Sequence, residues 1–243
     1  GISVLRELVK IMPNENYLYF GDSMNAPYGT KEVSVIRELT IKNIEKLLDM
    51  GAKSIVVACN TATSAAVRVL RQMYPKIPLV GIEPAIKPAV EYKEKSRVVV
   101  MATPMTLKQE KFQNLMKKYE NQAEIVPLPC PGLMEFVERG DLEGEDLYNY
   151  LSILFGSVNS KKIDSVVLGC THYPFAKKAI EAVVGKDVQI FDGGEGTARE
   201  MRRRMQCASL INPSKEKGTV KFINSKDTEE ERELCEFLLN LKM

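Results

Sequence analysis

Short apolar runs alternate with amphipathic, helix-period stretches along almost the whole chain. Val4, Leu5, Leu8, Val9 and Met12 fall on one helical face, and Pro13 stops that helix. "YLYF" then predicts a strand, and the polar stretch "GDSMNAPYGTK" a loop. A second helix is expected from about Glu32 to Met50, closed by Gly51 in the left-handed conformation that commonly ends helices. "SIVVA" predicts a strand, "TATSAAVRVLRQMY" a helix ended by Pro75, and "IPLVG" another strand. The next round runs from the strand "RVVVMA" through a helix over about Met105 to Tyr119 to the strand "AEIVPL". "SVVLG", a helix after Pro174 and "VQIFD" complete it.

Strand then helix, repeated, predicts an α/β protein with largely parallel sheets. The pattern also repeats at a larger scale. Cys59 and Cys170 each close an apolar run, and each precedes a helical stretch. The expected architecture is therefore two pseudo-symmetric domains, each an open, mainly parallel sheet of its own. The charged stretch "EYKEKS" marks the expected boundary. At the end of the chain, "TVKFINS" and "EEERELCEFLL" leave one strand and one helix over, which are expected to return to the first domain. That domain then covers residues 1–93 and 208–243 and carries Cys59, while residues 94–207 form the second and carry Cys170.

Composition narrows the function classes. The 243 residues carry 34 basic and 32 acidic side chains, a net charge of +2 that marks neither nucleic acid nor a membrane surface as the main partner. The cluster Arg199 and Arg202 to Arg204 reads as the solvated face of a helix. No apolar run approaches the roughly 20 residues that span a bilayer, and no secretory leader is visible. Five cysteines without a CxxC spacing, beside one histidine, do not suit a zinc site. A reduced, cytoplasmic protein is expected.

The strand-end cysteines carry the chemistry. In open α/β sheets, ligands bind beyond the carboxyl ends of the strands, where helix N-termini attract anions. Cys59 is followed by Thr61, Thr63 and Ser64, and Cys170 by Thr171, residues suited to such helix starts. If the two halves face each other, two thiols and two anion-binding ends enclose one cleft, which would suit a small dicarboxylate. They would also suit inversion at a carbon bearing an acidic hydrogen, because one face must lose a proton and the other gain one. A free thiol has a pKa of about 8.5, so each needs an assistant. His172 is the evident assistant of Cys170, whereas Cys59 has no equally evident partner. Cys130, Cys207 and Cys235 lie in no comparable constellation and read as small hydrophobic residues. Two other readings remain open at this point. One is a Cys–His hydrolase in which His172 activates Cys170 and Cys59 is structural. The other is a protein that binds acidic ligands without turnover.

"GISVLREL", "YFGDSMNAPYGTK", "VVACNTATSAA", "GIEPA", "FVERGDL" and "LGCTHYPF" occur in this order. With them the chain resembles, over essentially its whole length, the glutamate racemases of the cofactor-independent aspartate/glutamate racemase superfamily. "GCTHYP" together with the "PYG" loop favours glutamate over aspartate. The resemblance implies that Cys59 and Cys170 exchange the α-proton of glutamate and that His172 assists Cys170. It implies that Asn60 and Thr61 hold the substrate beside the first cysteine, Thr171 beside the second, and Tyr28 and Gly29 at a carboxylate. Thr103 and Thr106 are implied to line the pocket, with Glu138 close to it. It further implies two α/β domains across a cleft, no pyridoxal phosphate, flavin or metal, a possible homodimer, and supply of D-glutamate for peptidoglycan. Members of the family carry a strand and an Asp-Ser-Gly loop just ahead of the segment matched by "GISVLREL". That aspartate is the implied assistant of Cys59, the serine an implied substrate contact, and a protein without them is expected to racemise poorly.

Overall fold

A computed structural model describes residues 1–158 and 161–242; the side chain of Lys111 and residue 243, with which the expected first domain closes, lie outside the description. The chain divides into two compact units, Gly1–Glu83 with Gly194–Leu241, and Pro84–Gly193.

The first unit opens with α1 (Ile2–Ile11), β1 (Tyr17–Gly21), α2 (Val33–Asp49), β2 (Ile55–Val57), α3 (Asn60–Met73) and β3 (Leu79–Gly81). The second consists of α4 (Ile86–Glu91), β4 (Arg97–Ala102), α5 (Pro104–Lys108), α6 (Glu110–Tyr119), β5 (Glu124–Pro129), α7 (Leu133–Glu138), α8 (Glu145–Gly156), β6 (Ser165–Leu168), α9 (Lys177–Val184) and β7 (Gln189–Asp192). The chain then returns to the first unit with α10 (Gly194–Cys207), β8 (Val220–Asn224) and α11 (Glu229–Asn240). All described strand pairings are parallel: β1 with β8, β2 with β3, and a four-stranded sheet in the order β5-β4-β6-β7. No described helix is long and apolar enough to cross a membrane.

In the first unit, side-chain alternation along β2 and β3 feeds two cores. Ile55, Val57 and Leu79 pack with Ile36 and Ile44 of α2 and with Ala62, Ala66, Val67 and Leu70 of α3. Val80 and Ile82 face the other way, towards Val4, Leu8 and Met12 of the first helical segment and Ala198, Met201 and Met205 of α10. The expected end of α2 is present. Gly51 takes φ +89°, its N–H bonds the Leu48 carbonyl at 2.9 Å, and the Ala52 N–H bonds that of Leu47 at 3.1 Å. Arg199, Arg203 and Arg204 of α10 form ion pairs with Glu195 and Glu200, and Arg204 also reaches in to the Leu79 carbonyl at 3.2 Å.

The second unit is wound on both faces. Every residue of β4 is buried: Val99 and Met101 pack against Leu133, Leu147, Leu151, Phe155 and Ile180 on one face. Val98 and Val100 pack against Ile86, Val90, Phe112 and Tyr119 on the other. A near-continuous apolar run is what a parallel strand covered by helices on both sides requires. β5 contains Pro127 and Pro129 and lies at the sheet edge, where a missing N–H costs no ladder bond.

Three features differ from the sequence reading. The expected helix over 105–119 is two helices, because Gln109 is buried in an extended conformation (φ −72°, ψ 135°) and its carbonyl starts α6 by accepting from Phe112 and Gln113. The units divide one helix earlier than the expected boundaries at 93/94 and 207/208. The reason is packing: α4 joins the β4 core, and α10 packs on α1. Cys207, read as a core residue, is exposed at the last position of α10, whereas Cys130 and Cys235 are buried.

Phe155 is fully buried in the core between β4 and α8. Phe155→Ala is expected to destabilise the protein by about 3–5 kcal/mol, because a cavity adds to the lost transfer energy. Denaturant midpoints would show this, and an unchanged midpoint would mean that the core around α8 closes freely over the space left.

Candidate active site

Each unit places a cysteine where the chain leaves a buried parallel strand. In the first, Cys59 follows β2 as the N-cap of α3, with extended backbone (φ −146°, ψ 122°). Its Sγ accepts from the Ala62 N–H at 3.5 Å, and its carbonyl accepts from the Thr63 N–H at 2.8 Å. Negative charge arriving there meets the positive end of a fourteen-residue helix. Asn60, Thr61 and Thr63 are buried in the first turn, and Thr63 donates to the Val57 carbonyl at 3.1 Å. The Asn60 side-chain amide is buried without a hydrogen-bond partner among the described residues. An unmet buried amide costs about 1–3 kcal/mol, and a polar ligand would satisfy it.

Tyr28 and Gly29 lie in a short 3-10 turn, Tyr28–Thr30, that contacts α3. Tyr28 packs on the same core cluster as Cys59. Its hydroxyl donates to Asp22 Oδ2 at 2.5 Å, and Asn43 Nδ2 donates both to that oxygen at 3.1 Å and to the hydroxyl oxygen at 3.2 Å. Burial and the adjacent Asp22 carboxylate push the phenol pKa far up, so its single proton stays committed to Asp22. Burial works against the Asp22 charge, yet the bonds from Tyr28, Asn43 and Asn25 outweigh it and hold the carboxyl below the usual range.

In the second unit, Gly169 precedes Cys170 and donates to the Met101 carbonyl at 2.7 Å. A Cβ on Gly169 would stand 2.6 Å from that same oxygen, so only glycine lets β6 end this close to β4. Cys170 Sγ lies 3.6 Å from His172 Nδ1, and His172 Nε2 lies 3.4 Å from Glu138 Oε1 at the end of α7. A carboxylate can only accept, so Nε2 carries the proton and the Nδ1 lone pair faces the thiol. A quarter of the His172 side chain reaches solvent, yet burial dominates and lowers its pKa below 6.5, with the bond to Glu138 opposing. The result is a neutral imidazole whose Nδ1 faces the Cys170 thiol. Thr171 is buried beside them. Thr103 caps α5 immediately after β4, the strand next to β6, and its hydroxyl lies 2.9 Å from that of buried Thr106. Beneath the turn, buried Tyr173 donates to the Cys130 carbonyl at 3.2 Å. Burial raises the Cys130 thiol, which remains a protonated core residue.

The expected residues thus form two sets: Cys59, Asn60, Thr61, Tyr28 and Gly29 in one unit, and Cys170, Thr171, His172, Thr103, Thr106 and Glu138 in the other. Among the described residues no group of three or more His, Cys, Asp or Glu could hold a metal ion. Sequence reading missed Asp22, Asn43 and Tyr173. The Asp-Ser-Met-Asn turn was the available signal for Asp22, but nothing in the helical periodicity marks Asn43.

The family model described as Asp/Glu/Hydantoin racemase matches residues 3–201. The chain belongs to this racemase family. Among curated relatives, the glutamate racemase of Clostridium perfringens (strain 13 / Type A) is 52% identical over 242 residues, which span 100% of this chain and 93% of that one. Glutamate racemase from Francisella tularensis, solved with D-glutamate, superposes with a TM-score of 0.85 at 26% identity, covering 100% of this racemase and 90% of that chain. The Escherichia coli glutamate racemase, solved with L-glutamate and the activator UDP-MurNAc-ala, gives 0.82 at 27%, covering 96% and 88%.

His172 is the only histidine in this racemase, so it dominates proton uptake between about pH 5.5 and 7. Its folded pKa is lowered, so the unfolded chain binds more protons below 6.5. Stability is therefore expected to fall as pH drops from 6.5 towards the folded value and to level off beneath it. His172→Asn is expected to flatten this slope in urea midpoints measured at about pH 7.5 and about pH 5.5; an unaltered slope would contradict the neutral imidazole.

Proposed function

We propose that the chain interconverts L- and D-glutamate by proton exchange at the α-carbon, with Cys59 serving one face and Cys170 the other. No cofactor takes part in this reading. Inversion requires a base on the face that loses the proton and an acid on the face that gains it, and the two sulfurs exchange these roles with the direction of reaction. The single observation that carries the proposal is the matched placement of the cysteines. Each stands at the C-terminal end of a parallel strand, one capping a helix and the other hydrogen-bonded to a neutral imidazole. Relatives named glutamate racemase at 52% identity, and related structures that hold D- or L-glutamate, support glutamate as the substrate.

The parts then divide as follows. His172 takes the proton of Cys170 and returns it, with Glu138 holding the ring. Asn60, Thr61 and Thr171 hold the amino acid at the two sulfurs; Thr103 and Thr106 line the site, and Tyr28 and Gly29 stand at a carboxylate. Within the cell, the enzyme acts in the cytoplasm and its product supplies D-glutamate for peptidoglycan. A second reading has one specific observation in its favour: the Cys170–His172–Glu138 line is also that of a thiol nucleophile with an oriented base. It requires a covalent acyl intermediate and indifference to Cys59.

In deuterated water, either enantiomer is expected to gain deuterium at the α-carbon. Cys59→Ser and Cys170→Ser are each expected to lower racemisation by about 10²- to 10⁴-fold, the usual weight of a general acid or base. Chiral chromatography follows the reaction, with aspartate as the competing substrate. Full activity in both variants would sink the proposal, and loss in Cys170→Ser alone would favour the nucleophile.

A further inference from the structure

Around Asp22 lies a polar network that the chemistry above does not use. Asp22 is the first residue beyond β1. Its Oδ2 accepts from Tyr28 Oη and Asn43 Nδ2, and its Oδ1 accepts from Asn25 Nδ2 at 2.9 Å. Asn43 belongs to α2, so one carboxylate ties the end of β1, the Tyr28 turn and the facing helix together. The chain beyond Asp22 is anchored from its far end as well. The Met24 N–H donates to Ser225 Oγ at 2.9 Å, Ser225 N–H to the Gly21 carbonyl at 2.9 Å, and Ser23 Oγ to Glu231 Oε2 at 2.8 Å. Asn224 Nδ2 joins Ser23 and Glu231 at 2.8 and 3.1 Å. The loop that presents Tyr28 and Gly29 is thus clamped between α2 and the β8–α11 segment, with Asp22 as the shared acceptor.

We propose that Asp22 is a positioning residue: by accepting the Tyr28 hydroxyl and the Asn43 amide at one oxygen, it fixes the Tyr28–Thr30 turn beside the N-terminus of α3, where Cys59 stands. It touches no substrate in this account. The carboxylate is ionised throughout the neutral range, which keeps it an acceptor only and keeps the phenol a donor. Charge-assisted bonds of this kind contribute more than neutral ones, so their loss is expected to free the turn rather than merely weaken it. The inference rests on the glutamate reading for its kinetic arm alone.

The test compares Asp22→Ala, Asp22→Asn, Tyr28→Phe and the Asp22→Ala/Tyr28→Phe double variant. Amide hydrogen exchange over residues 28–31, where the Lys31 N–H bonds the Tyr28 carbonyl at 3.2 Å, needs no substrate. It is expected to speed up about tenfold in Asp22→Ala and in Tyr28→Phe, and no further in the double variant, because the two act through one contact. The KM for glutamate is expected to rise about tenfold in the same pattern, with the smaller change in kcat and partial recovery in Asp22→Asn, which keeps an acceptor. Unchanged exchange, losses that add in the double variant, or a lowered melting temperature with KM unmoved would each overturn the proposal. Should Asp22→Ala fail to fold, Asp22→Asn carries the same comparison at reduced amplitude. Absence of glutamate turnover in the unaltered protein would end the glutamate reading instead, and the exchange arm would still decide whether Asp22 holds the turn.

Discussion

In the second unit every residue of β4 is buried, so its backbone is satisfied by strands on both edges and its side chains by helices on both faces. That one strand decides the rest of the unit. Because all its neighbours run parallel to it, the chain must leave each strand at the same end of the sheet. Thr103 after β4, Cys130 after β5 and Cys170 after β6 consequently emerge together. Gly169 tightens the arrangement by letting the strand before Cys170 run against the Met101 carbonyl. This gathering of strand ends is a consequence of parallel pairing, and it is the end at which open α/β sheets bind ligands.

The two units treat their cysteines differently. Cys59 caps a long helix whose first turn is buried and rich in hydroxyl and amide groups, so the fixed charge beside it comes from backbone dipoles. Cys170 has instead a titratable neighbour, and burial has made that neighbour a neutral base. Glu138 settles which ring nitrogen faces the sulfur by accepting from the other one. Asp22 provides the contrasting case, a carboxylate kept charged by the donors around it although burial opposes that charge. Both outcomes follow from which hydrogen-bond partners the fold brings to a partly dehydrated group.

Much of the fold was legible in the chain. The run "RVVVMA" read as a strand, and Gly51 marked a helix end that the structure closes with paired carbonyl bonds. Both strand-end cysteines stand where the apolar runs stop. Local propensity failed at Gln109, where a continuous helical period hides a break made by burial. It failed at Cys207, which closes an amphipathic helix on its exposed side. The unit boundaries were also hidden, because packing alone decides that α4 joins the β4 core and that α10 returns to α1, far back along the chain.

The sequence by itself determined the alternation of strand and helix, the parallel class of sheet and the cysteine–hydroxyl motifs, since these depend on periodicity and on residues within one or two turns of each other. Only the tertiary structure decided that Glu138 lies against His172 and Asn43 against Asp22 and Tyr28. It likewise decided that residues 224–231 anchor the loop beginning at Asp22. Those contacts join positions separated by tens to hundreds of residues. Their protonation and direction depend on desolvation and on partner geometry, which exist only once the chain has packed.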